Sequence, residues 1–160
     1  MASVITTANT SYATPKTWAA SEALTATLFN TYIRDQVLAL KSPAHFRCYV
    51  DEAADFTTTS TTFVDTSATA LSATVTTGGG KFLIGFSGAV YQSATTARIY
   101  LDVSIDGTRI GLDDGLMVIR TSTLTSHGGV SFSVITGTLS AASHTFKLQW
   151  KVDGGTGGMY

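Results

Sequence analysis

The stretch ARIYLDVSIDGTRIGL (residues 97–112) decides the fold. Ile99, Leu101, Val103 and Ile105 fall at every second position, with Tyr100, Asp102 and Ser104 between them. A period of two marks a strand with one buried face. Asp106-Gly107 follows at once, a pair suited to a two-residue hairpin turn, and TRIGL returns. The same period governs HTFKLQWKV (144–152), where Phe146, Leu148, Trp150 and Val152 alternate with Thr145, Lys147, Gln149 and Lys151.

Working outward, FRCYV (46–50), LMVIRTS (116–122) and VSFSVIT (130–136) read as short strands. TTTSTTFVDTSATALSATV (57–75) gives one or two Thr-rich strands around Phe63-Val64 and Leu71–Val75. KFLIGFSGAVYQ (81–92) is a long strand, in which Gly85 and Gly88 predict a bulge or a close backbone approach. DGGTGGMY (153–160) reads as a glycine-rich tail. Eight to nine strands with regular turn signals and no βαβ alternation predict a mainly β fold, an antiparallel jelly-roll-type sandwich over residues 46–160.

The period changes in TATLFNTYIRDQVLALKSP (25–43). Leu28, Phe29, Tyr32, Ile33, Val37 and Leu40 recur at helical spacing, Thr25 is suited to the N-cap, and Pro43 ends the pattern. Leu24 and Phe29 occupy the positions of a hydrophobic staple, and Lys41 suits the helix C-terminus. One amphipathic helix is therefore expected, with its apolar face buried against a partner. Residues 1–24 are rich in Ser, Thr and Ala and have no core of their own. They read either as a loose terminus or as an extended arm lying on a neighbour, to which Val4, Ile5, Tyr12 and Trp18 would adhere. Residues 1–45 form the expected arm-and-helix unit.

Charged residues are only 13% of the chain and hydrophobic residues 44%. Thr is the most frequent residue, which fits a pleated surface where Thr stands in for Lys and Glu. A net charge of −1 gives no electrostatic case for a nucleic-acid partner. No apolar run is long enough to insert in a membrane. MASVITTANTSYATPK (1–16) lacks a basic segment followed by an apolar one, so no secretory signal is expected.

No catalytic, cofactor or metal set emerges. His45, His127 and His144 lack ligand spacing. Asp51, Glu52 and Asp55, and likewise Asp113-Asp114-Gly115, read first as a solvated loop and a turn rather than a cation site. Gly78–Lys81 lacks the rest of a phosphate loop. Cys48 and His45 fall on opposite strand phases, so the thiol reads as structural. Tyr100, on the polar phase of its strand, is the candidate ring for stacking on a sugar.

TPKTWAASEALTATLFNTYIRDQVLALKSP (14–43) resembles a segment of structural proteins of tailed bacteriophages, through Trp18, Leu24-Thr25, Asn30, Arg34-Asp35 and Leu40-Lys41. GGGKFLIGFSGAVY (78–91) and GTLSAASHTFKLQWKVDGGTG (137–157) resemble trimeric jelly-roll heads of the tumour necrosis factor and complement type, although Ala142 stands where those heads carry glycine before the Ser-His pair. The resemblance implies a non-enzymatic virion protein, made in the host cytoplasm. It implies a homotrimeric tail-tip or fibre component, or a capsid decoration protein, with neighbouring virion proteins as partners. Docking would fall to Trp18, Leu24, Phe29, Tyr32, Ile33, Val37 and Leu40. The rival expectation is a carbohydrate-binding module that attaches to a host-surface glycan.

Overall fold

The computed structural model describes residues 2–7, 16–37, 43–50, 55–120 and 127–160. Its strands are β1 (Ala2–Thr7), β2 (His45–Val50), β3 (Phe56–Thr58), β4 (Val64–Asp65), β5 (Ser72–Thr76), β6 (Leu83–Gln92) and β7 (Arg98–Ile105). They continue with β8 (Thr108–Arg109), β9 (Met117–Arg120), β10 (Gly128–Ile135), β11 (Ser143–Val152) and β12 (Gly157–Met159). Between β1 and β2 lies the helix, α1 (Ala26–Phe29), which runs into a π-helical segment (Asn30–Arg34). The fold is mainly β, and its strand pairings are antiparallel.

Two sheets form the body. One has the order β10-β6-β12-β3. In the other, β11 pairs with β7 on one side and with β4 and β5 on the other, while β8 and β9 share the far edge of β7. Ile99, Leu101, Val103, Phe146, Leu148, Trp150 and Val152 from this sheet meet Ile84, Val90, Val130 and Met159 from the first in one core. The alternation of HTFKLQWKV holds along β11, whose apolar positions are all buried. On the opposite face, hydroxyls pair across the strands: Thr74 to Thr145 at 2.8 Å and Thr76 to Ser143 at 2.6 Å. Asp106 and Gly107 both adopt positive φ, 52° and 83°, and close the β7–β8 hairpin as that pair should.

Four expectations are corrected. The first residues are no free arm, because β1 pairs with β2 from Ala2↔Val50 to Thr7↔His45. This ribbon crosses the expected boundary at 45/46, and Phe46 stacks on Phe146 at 4.9 Å. The glycine-rich tail is no tail: β12 is buried between β6 and β3. Gly158 faces Tyr91 across the ladder, and a Cβ at Gly158 would fall inside the Tyr91 ring, so only glycine fits. In β6, Gly85 and Gly88 make no bulge, since the register with β10 is unbroken from Leu83 to Val90. At Gly88 the close approach is instead by the Phe86 ring, 2.9 Å from a built Cβ.

The fourth correction concerns β7, which is buried on both faces. Asp102 is 0% exposed. Its partners explain why. The edge of β7 passes from β9, paired through Leu101, to β8, paired from Ser104, and the chain between them loops away. The Asp102 carboxylate fills that gap. Oδ1 accepts from the backbone N–H of Val103 (2.7 Å) and Gly111 (2.9 Å), and Oδ2 accepts from Arg109 Nη1 (3.1 Å). A side chain thus supplies the acceptors that a neighbouring strand would otherwise provide.

Candidate docking site

The helix begins as its sequence dictates. Thr25 is the N-cap, with extended backbone, and its hydroxyl accepts from Leu28 N at 3.2 Å. The preceding segment folds onto the same element. Lys16 pairs with Glu22, and the contact holds the Glu22 carboxyl below its usual range. The Lys16 ammonium lies 5.0 Å from the Trp18 ring centre, and Trp18 meets Tyr32 edge-on at 6.3 Å. After one α-turn the ladder widens, so that Asp35 N–H donates to Asn30 O. Such π-segments recur at functional positions, because they re-aim the side chains that follow.

What the helix does not do is bury its apolar stripe. No residue of α1 or of the π-helical segment is buried. Leu24, Phe29, Ile33 and Val37 are between 40% and 59% exposed, and Trp18 is 41% exposed. Phe29, Ile33 and Val37 are spaced four apart along the segment, and Tyr32 is half-buried beside Trp18. The described chain therefore leaves this face uncovered, and the partner expected for it is not among the described residues. Leu40 and Lys41 lie outside the described residues.

Tyr100 does not offer an exposed ring. It is 7% exposed, covered by the Lys151 ammonium at 4.7 Å, and its hydroxyl donates to Asp153 Oδ2 at 3.3 Å. The strand's polar phase faces the loops that wrap the sheet, not solvent. Cys48 lines an apolar cavity of about 450 Å³ between β2 and the inner faces of the sheets, with Phe46, Val50, Phe86 and Phe146. Burial raises its thiol pKa, which suits a packing role. Asp51 and Glu52 lie outside the described residues. Among the described residues no three His, Cys, Asp or Glu side chains gather as a metal site requires.

One constellation escaped the sequence reading. His144 Nδ1 lies 2.7 Å from Asp106 Oδ2, and its Nε2 lies 3.4 Å from Ser140 Oγ. The connectivity is that of a nucleophile, base and orienting acid. The hydrogen bonding argues otherwise. Nε2 also faces the Ser140 carbonyl at 3.1 Å, so both ring nitrogens point at acceptors. Asp106, followed by that carbonyl, raises the His144 pKa and so favours the charged ring. A ring held between two acceptors is placed as a tether rather than as a base. His144 ties the β7–β8 turn to β11, helped by Thr145 N–H donating to Asp106 Oδ1 at 2.8 Å. Two residues 38 apart in sequence gave no signal of this contact.

Comparison of the chain with family models, curated proteins and solved structures finds no match. No helix among the described residues is long and apolar enough to cross a membrane.

Proposed function

We propose that the chain is a non-enzymatic structural protein of a tailed-bacteriophage particle, a tail-tip or fibre component or a capsid decoration protein. Its body is a jelly-roll sandwich that assembles as a homotrimer, and residues 1–45 anchor it to neighbouring particle proteins. The observation that carries this reading is the apolar row Leu24, Phe29, Ile33 and Val37, which no part of the described chain covers. An exposed apolar row rimmed by polar residues is the usual mark of a protein-binding surface. Two further features support it. Both antiparallel sheets share one core, as a sandwich requires. Leu83 and Ile135, partners across the ladder, are 71% and 64% exposed at one end of their sheet, a patch that a second copy would cover.

The test joins mass to incorporation. Light scattering at several concentrations is expected to give the mass of three chains. The double variant Ile33→Asp/Val37→Asp is expected to keep that mass and the thermal transition of the β-body, yet to be missing from assembled particles. A monomer at every concentration would overturn the trimeric head. Normal incorporation of the double variant would overturn the docking role.

A further inference from the structure

The stack that hides Tyr100 also builds a site. Lys151, on β11, places its ammonium between two rings, 4.7 Å from the Tyr100 centre and 4.9 Å from the Phe63 centre. The Arg109 guanidinium lies over Phe63 at 4.2 Å. Phe63, Arg109 and Lys151 wall a recess of about 600 Å³, together with Thr62, Gln149 and Asp113. It opens on the outer face of the six-stranded sheet, away from the core that β7 and β11 share with the other sheet.

The donors here are set in advance. Arg109 Nη1 donates to Asp102 Oδ2 and to the Leu112 carbonyl, both at 3.1 Å. Asp102 is fully buried and is itself held by two backbone N–H groups, so the Nη1 end of the guanidinium has a fixed anchor. Its Nε and Nη2 hydrogens have no partner among the described residues. That edge is a two-pronged donor of the shape a carboxylate takes. Lys151 spends one hydrogen on the Asp113 carbonyl, at 3.0 Å, and has two left. Gln149 gives Nε2 to Asp65 Oδ1 at 2.7 Å, which leaves its carbonyl free to accept. The Thr62 hydroxyl and the exposed Asp113 carboxylate complete the rim.

Fixed cationic donors beside hydroxyl, amide and carboxylate groups suit one ligand chemistry. The ligand needs a carboxylate for Arg109 and Lys151, and neighbouring hydroxyls for Gln149, Thr62 and Asp113. The Asp113 charge disfavours a second anionic group, which argues against polyphosphates. We infer that this recess binds a saccharide bearing a single carboxylate, of the sialic or uronic acid type, with Arg109 taking the carboxylate. The inference is independent of the helix and of any particle.

The test is titration calorimetry of the full chain with sialyllactose and galacturonic acid, against lactose and inorganic phosphate as controls. The acidic sugars are expected to bind, and lactose about tenfold or more weakly. Arg109→Gln strands Asp102 and can unfold the protein, so Lys151→Gln is the deciding variant. It is expected to weaken the acidic sugar about tenfold, with the thermal transition little changed. Equal binding of lactose, or of phosphate, would overturn the assignment. So would unchanged binding in Lys151→Gln, or no heat with either acidic sugar up to about 10 mM.

Discussion

Asp102→Ala is the perturbation that best separates this structure from its sequence. Alternation alone puts Asp102 on a solvent face, where alanine would change stability by less than about 0.5 kcal/mol. The structure makes it a filler of the gap in the sheet edge. Alanine leaves Val103 and Gly111 without the acceptor they share, and Arg109 without its counter-charge. An orphaned buried N–H costs about 1–3 kcal/mol, and breaking a buried pair about 3–5 kcal/mol in all. The Arg109 side chain is 31% exposed and can recover some hydration, so the lower part of that range applies, about 3–4 kcal/mol. At this chain length the melting temperature should fall by roughly 6–16 °C. Asp102→Asn keeps an acceptor for the backbone and loses only the charge-assisted bond, about 1.5–3 kcal/mol. Urea unfolding of the three proteins reads both numbers, with the midpoint moving at constant slope. A loss below about 1 kcal/mol in Asp102→Ala would refute the gap-filling role. Equal losses in the two variants would show that the bonds donated by the Val103 and Gly111 N–H groups contribute nothing.

Two other outcomes are expected. Gly158→Ala should destabilise the protein by about 1–3 kcal/mol through its clash with Tyr91, and Tyr91→Ala should relieve part of that loss. Strict additivity of the two losses in the double variant would sink the steric account. The His144–Asp106 pair should stabilise within a bounded pH window. The raised His144 pKa makes its contribution complete below about pH 6.5 and lost as pH rises through the folded value. The lowered Asp106 pKa, set chiefly by His144, makes its contribution complete above about pH 4 and lost as pH falls through the folded value. The stability difference between the wild type and His144→Gln should therefore peak between about pH 4 and 6.5 and shrink toward pH 8. A difference that is flat, or that grows with pH, would contradict the pairing.

Much of the body was legible because its residues report their own surroundings. β11 is read from four apolar residues at alternate positions, the β7–β8 turn from Asp106-Gly107, and the helix start from Thr25. What was not legible depended on partners far along the chain. β12 looks like a breaker because glycine is weak in strands, yet the Tyr91 ring occupies the space its side chains would need. β1 has no apolar period, and its ladder comes from residues some forty positions later. The polar phase of β7 promised an exposed Tyr100, but Lys151 covers its ring and Asp153 takes its hydroxyl. At the helix the periodicity was legible, and what covers its apolar row was not, because a stripe does not name its occupant. The recess was invisible for a related reason: its groups come from four separate stretches, and only folding brings them together.

The β1–β2 ribbon has a consequence for how the helix is held. Thr7 and His45 are opposite each other in the ladder, so the whole excursion of residues 8–44 leaves and re-enters the body at one point. The helix hangs from two roots rather than one. A protease that nicks the excursion once would not free it. One fragment would stay covalently joined through β2, and the other would stay zipped in place along the six residue pairs of β1. An attachment built this way tolerates damage that would sever a simple tail.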